Sequence, residues 1–144
     1  MTILMKAPKY MEEKDIDTKA LKNIQKSLME LQPTMKKDIC ILSEEVFLNG
    51  KKISVPLVFF NNTDAIVQNL EIQVRFSIFN QLIFEGPIAF KKDFYDELRP
   101  GEGILDYWIL EFDGDLEEKE ITKLNQDEFN FEVFSCHEIA YQEA

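Results

Sequence analysis

The chain has 144 residues, of which 45% are hydrophobic, and this suits a single domain with its own core. It carries 27 Asp and Glu against 16 Lys and Arg, for a formal net charge of −11 at pH 7. So acidic a surface repels nucleic-acid phosphates and anionic lipid headgroups, and we therefore expect no nucleic-acid partner. The charge favours solubility, with a basic partner or a bound cation as the functional alternative.

The first 15 residues contain no positively charged region followed by an apolar stretch, which a secretory signal peptide requires. No run of the sequence reaches the roughly 18 apolar residues of a membrane span. We therefore expect a cytoplasmic protein with no membrane span. Cys40 and Cys136 are then expected to be reduced and to pack as small apolar side chains.

Residues 1–16 are polar and mixed, and they predict a flexible arm. Residues 17–32 predict one amphipathic helix, capped by Asp17 or Thr18 and stopped by Pro33. Its apolar residues recur at steps of three and four: Leu21, Ile24, Leu28 and Leu31. This stripe packs either on the chain's own sheet or in a partner's groove, so the four residues are candidates for partner binding.

From residue 38 onward the pattern is that of short strands separated by turns. Asn49-Gly50 between two apolar segments predicts a hairpin. The clearest strand runs from Leu70 to Ile78, where apolar and polar residues alternate. Gly86-Pro87 interrupts the next strand, which predicts an edge or a bulge there.

About six or seven such strands with regular turns predict a mostly β fold. We expect an immunoglobulin-like antiparallel β-sandwich over residues 38–137, preceded by the N-terminal amphipathic helix. No linker rich in Pro, Gly or Ser divides the chain, so residues 17–144 are predicted to form one domain.

The sequence offers no recognisable catalytic or metal-binding motif. His137 is the single histidine and follows Cys136, but adjacent residues of a strand point to opposite faces and do not predict a dyad. Zinc-ligand spacing, a nucleophile elbow and a Gly-rich phosphate loop are all missing. The acidic stretch at 113–120 lacks the pattern of an EF-hand loop and predicts a solvated turn, with cation binding left open. We predict no enzyme activity, no cofactor and no metal.

Two adjacent aromatic residues on one predicted strand are expected to face opposite ways. Trp108 is the candidate for the core, and Tyr107 is the candidate for a surface that binds a partner.

The segment from Ile53 to Phe112 resembles the SLAP domain, a small module that occurs in duplicate in S-layer assembly proteins linked to the accessory Sec system. The similarity rests on a strand that ends in a Phe-Phe-Asn-Asn-Thr-Asp turn, on Leu70-Glu71-Ile72, and on Pro100 ahead of a strand with Trp108 and Phe112. The resemblance implies a β-sandwich that docks other proteins during the assembly or export of surface proteins. It implies no catalytic residue.

The leading hypothesis is therefore a non-catalytic protein-interaction or adaptor domain, with a role in surface-protein export or S-layer assembly. One alternative is a module that binds glycans or another ligand through Tyr107. Another is a structural protein of a phage or a secretion apparatus that assembles through its helix.

Overall fold

A computed structural model describes residues 2–111 and 121–139. Within these ranges the helices and strands follow one another as β1 (Leu4–Lys6), α1 (Thr18–Leu31), β2 (Ile39–Leu42), β3 (Phe47–Asn49), β4 (Lys52–Asn61), β5 (Asn69–Ile78), β6 (Gln81–Lys91), α2 (Lys92–Tyr95), β7 (Glu102–Glu111), β8 (Thr122–Lys123) and β9 (Phe129–Glu138). Short 3₁₀ helices lie at Glu13–Asp15 and Gln32–Thr34. None of the helices in these ranges has the length and apolar character of a membrane-spanning segment.

The strands form two sheets that pack face to face. The larger sheet has the order β1-β7-β4-β3-β8, with β2 also paired to β4, and the smaller sheet has the order β6-β5-β9. The pairs are antiparallel except for β1 and β7, which run parallel. The predicted mostly β sandwich with one N-terminal amphipathic helix is thus confirmed. Its immunoglobulin-like character stays a prediction.

The main core lies between the two sheets and follows the predicted alternation. Every second residue of β5, from Leu70 to Ile78, is almost completely buried there. Ile53, Val55 and Leu57 on β4 face them from the larger sheet. Trp108 packs against this core, with its ring centroid 4.9 Å from that of Phe84. The structure therefore places Trp108 on the inner face, as expected for a core aromatic.

A second core lies on the outer face of the larger sheet, beneath α1. It joins Leu28 of the helix to Val58, Phe60 and Leu105 of the sheet. Phe59 faces the main core and Phe60 points to the other face of the sheet, where α1 covers it, so both rings are buried.

The segment predicted as a flexible arm contains β1, which is paired and packed. Ile3 and Met5 are buried in the second core, and Met5 pairs with Gly103 of β7. The Met5 backbone N–H also donates to Oε1 of Gln25 on α1 at 3.0 Å. Strand pairing and the apolar side chains at alternate positions hold residues 3–6 against the sheet. The flexible arm stays a prediction.

The turn of the predicted hairpin lies one residue further along the chain. The hairpin at Asn49-Gly50 exists, but Asn49 pairs with Lys52, so its two-residue loop is Gly50-Lys51. The turn between β5 and β6 consists of Phe79 and Asn80, with φ of 49° and 63°. The edge position expected for Pro87 is correct, because β6 borders the smaller sheet.

The Asn-rich turn after β4 is held by buried side-chain hydrogen bonds. The Asn61 amide donates to the carbonyls of Ala65 and Leu98 at 2.7 and 3.0 Å, and its Oδ1 accepts from the Thr63 N–H at 2.9 Å. The Asn62 amide donates to the Lys36 carbonyl at 2.7 Å. These contacts give both asparagines a structural role, since a buried amide must find partners.

Gly103 is a sensitive position for the docking of β1. A Cβ added there would lie 2.5 Å from the Met5 Sδ and 3.3 Å from the Phe59 carbonyl oxygen. We predict that Gly103→Ala lowers the free energy of unfolding by about 1–3 kcal/mol, because the Met5 side chain already occupies the space that the added methyl group needs. Urea denaturation measures this change.

The control for this prediction is the double variant Gly103→Ala with Met5→Ala. Removing the Met5 side chain relieves the clash, so the double variant should lose less stability than the sum of the two single variants. Strict additivity would show that Gly103 does not act through Met5.

Candidate functional site

A groove of about 230 Å³ opens between α1 and the outer face of the larger sheet. The helix supplies one wall with Ala20, Asn23, Ile24, Ser27, Leu28 and Leu31. The sheet and the segment between β2 and β3 supply the other with Leu42, Glu44, Glu45, Pro56 and Val58. The lining is mainly apolar, with two carboxylates on the sheet side.

The groove follows from an interruption in the sheet. β2 pairs with β4 from Val58 onward and β3 pairs with it up to Ser54, so residues 43–46 face residues 55–57 without forming a strand. Four residues thus lie opposite three, and the strand segment they face contains Pro56, which has no backbone N–H to donate. The segment carries Glu44 and Glu45 with exposed side chains. A local break in pairing therefore creates the acidic wall.

The outer face of the larger sheet continues beyond the helix. Tyr107 is paired with Pro56, and Ile109 and Phe47 are both paired with Ser54, so these side chains share the face of Val58. Tyr107 is 36% exposed and Ile109 is 56% exposed. We call the groove lining together with Phe47, Tyr107 and Ile109 the open face. It is an apolar surface that α1 covers only in part.

The five predicted partner-binding residues are distributed unequally over this region. Ile24 and Leu28 belong both to the second core and to the groove wall. Leu21 packs in the second core and does not line the groove. Leu31 lines the groove and is 42% exposed, and Tyr107 lies on the open face. The helix stripe thus packs mostly on its own sheet and leaves Leu31 and Tyr107 accessible.

Sequence reasoning missed the residues that the sheet brings to the groove, above all Pro56, Val58 and Ile109. Val58 and Phe60 are apolar residues at positions where a half-exposed strand would carry polar ones. This pattern in β4 was the available signal for a second covered face.

Charged residues are also distributed unequally along the chain. Residues 1–37 contain eight lysines against five acidic residues, whereas residues 38–144 contain eight Lys and Arg against 22 acidic residues. Lys19, Lys22 and Lys26 of α1 are exposed and do not line the groove. The sheet side of the groove carries Glu44 and Glu45.

Charges near the open face act on Tyr107. Burial raises the pKa of the Tyr107 phenol, and the carboxylates of Asp17 and Glu45 raise it further. Glu45 is paired with Lys123 at 3.1 Å, but both side chains are at least half exposed, so the pair adds little stability. The open face is thus bordered by charges of both signs, because strand register also places Lys52 and Lys123 on the side of Phe47 and Ile109.

A second polar cluster surrounds Asp106, which is 8% exposed. Its carboxylate accepts from the hydroxyl of Tyr10, from the hydroxyl of Tyr95 at 2.6 Å and from the Tyr107 N–H at 2.8 Å. Burial and the hydrogen bonds to Asp106 raise the pKa of both Tyr10 and Tyr95. Because all these groups are partnered, the cluster ties the N-terminal segment and α2 to β7 and acts as a structural clasp.

The two thiols and the histidine lie in different environments. Cys136 packs against the main core, where burial raises its pKa to about 11, whereas His137 is exposed. Burial also raises the pKa of the Cys40 thiol. In the described part of the chain, no group of three His, Cys, Asp or Glu side chains could hold a metal ion. The acidic stretch at 113–120 lies outside the described residues.

Comparison with known protein families, with curated proteins and with solved structures finds no match to this chain.

Substitution of two leucines of α1 should distinguish a core position from a surface position. Leu28 is 2% exposed, and we predict that Leu28→Ala lowers the free energy of unfolding by about 2–5 kcal/mol through the cavity it leaves. Leu31→Ala is the matched control, and we expect it to change stability by less than about 0.5–1 kcal/mol because its side chain is partly in solvent. Equal effects in urea denaturation would contradict this division of the stripe.

The clasp predicts a specific response to alkaline pH. Unfolded tyrosines lose their protons above about pH 10, while the folded chain keeps those of Tyr10 and Tyr95 because their pKa values are raised. The free energy of unfolding should therefore be independent of these groups below about pH 10 and fall above it. Tyr95→Phe should make that fall shallower and lower stability at pH 7 by about 1.5–3 kcal/mol, the usual range for a hydrogen bond to a charged group.

This prediction is checked by urea denaturation at several pH values between 7 and 11. An unchanged alkaline slope in Tyr95→Phe would show that the phenol does not keep its proton in the folded chain.

Proposed function

We propose that this chain is a non-catalytic protein-interaction domain that binds its partner on the open face. The observation that carries the proposal is the apolar groove beside α1, continued by the exposed side chains of Tyr107 and Ile109. Exposed apolar surface of this kind on a folded domain marks interaction sites. Aromatic side chains such as Tyr107 are enriched among the residues that dominate binding energy.

The chemistry of the groove favours a protein over a sugar. Sugar hydroxyls need many hydrogen-bonding groups, whereas the described residues bring only four polar side chains to the groove: Asn23, Ser27, Glu44 and Glu45. Leu31, Leu42 and Val58 offer contacts suited to apolar side chains. The glycan-binding alternative therefore has less support than the protein-binding one.

The sheet edges are poorly suited to binding by strand addition. In the larger sheet, β1, β2 and β8 have only three, four and two residues. In the smaller sheet, β6 carries Gly86-Pro87, and the pairing of β9 with β5 has an irregularity at Gln73/Val74. Short strands, proline and bulges are the usual protection of edges against pairing with another chain. A face is thus the better docking surface.

The resemblance to the SLAP domain suggests the setting. An adaptor that holds a client through an apolar face suits the assembly or export of surface proteins, and we retain a cytoplasmic location as part of this proposal. The alternative of a structural protein that assembles through α1 has less support, because Leu21, Ile24 and Leu28 are engaged with the chain's own sheet.

The test is capture of a partner from the native lysate, followed by identification and affinity measurement with the purified partner. Ile109→Ser should weaken binding by about tenfold or more, since a central apolar contact is lost. Leu82→Ser is the matched control, because Leu82 is 52% exposed on β6 of the other sheet. It should leave the affinity unchanged.

Two outcomes would contradict the proposal. One is a partner whose affinity falls with Leu82→Ser and not with Ile109→Ser. The other is a low-molecular-weight substrate that the chain converts, with turnover abolished by Ile109→Ser.

A further inference from the structure

We draw no further inference here: the strongest candidate, the groove between α1 and the outer face of the larger sheet with Tyr107 and Ile109 beside it, belongs to the docking face already proposed, and because charges of both signs border it and residues 112–120 lie outside the described residues, nothing in the structure shows what covers it.

Discussion

The fold depends on one strand that is apolar on both faces. β4 turns Ile53, Val55, Leu57 and Phe59 toward the smaller sheet and Val58 and Phe60 toward the outside. An antiparallel strand of a simple two-layer sandwich needs only one covered face. The outward pair must therefore be buried by a third layer, and α1 provides it, while Ile3 and Met5 at the edge of the sheet complete the core beneath the helix. The N-terminal segment is consequently part of the fold, and it is fastened by the Asp106 clasp at one end and by Asn62 at the other.

The same requirement leaves apolar side chains accessible. One helix of 14 residues covers the end of the sheet that carries Phe60 and Leu105 and stops short of the end that carries Ile109. Among the described residues the third layer is therefore incomplete, and Tyr107 and Ile109 stay exposed next to it. The docking face that we propose is this accessible part of the sheet.

Buried polar groups restrain this arrangement. The amides of Asn61 and Asn62 and the carboxylate of Asp106 all have hydrogen-bond partners, and no buried side-chain polar atom in the described residues lacks one. Each group joins segments that are distant in sequence, such as Asn61 with Leu98 and Tyr10 with Asp106. Loss of any one would leave a polar group unpaired in the interior, so these residues help to select a single arrangement.

Local sequence patterns were sufficient to predict the main helix and strands. Alternation along β5, the three-four spacing of α1 with its Asp17 cap, and the proline of β6 each act through neighbours in sequence, so the sequence by itself determined a sandwich with one amphipathic helix. It also determined that Leu31 and Tyr107 were candidates for a surface. Only the tertiary structure decided that Leu21 is core, that β1 pairs with β7, and that Pro56, Val58 and Glu44 meet the helix to form a groove. These outcomes depend on contacts between residues far apart in the chain, and such contacts leave no periodic signal in the sequence.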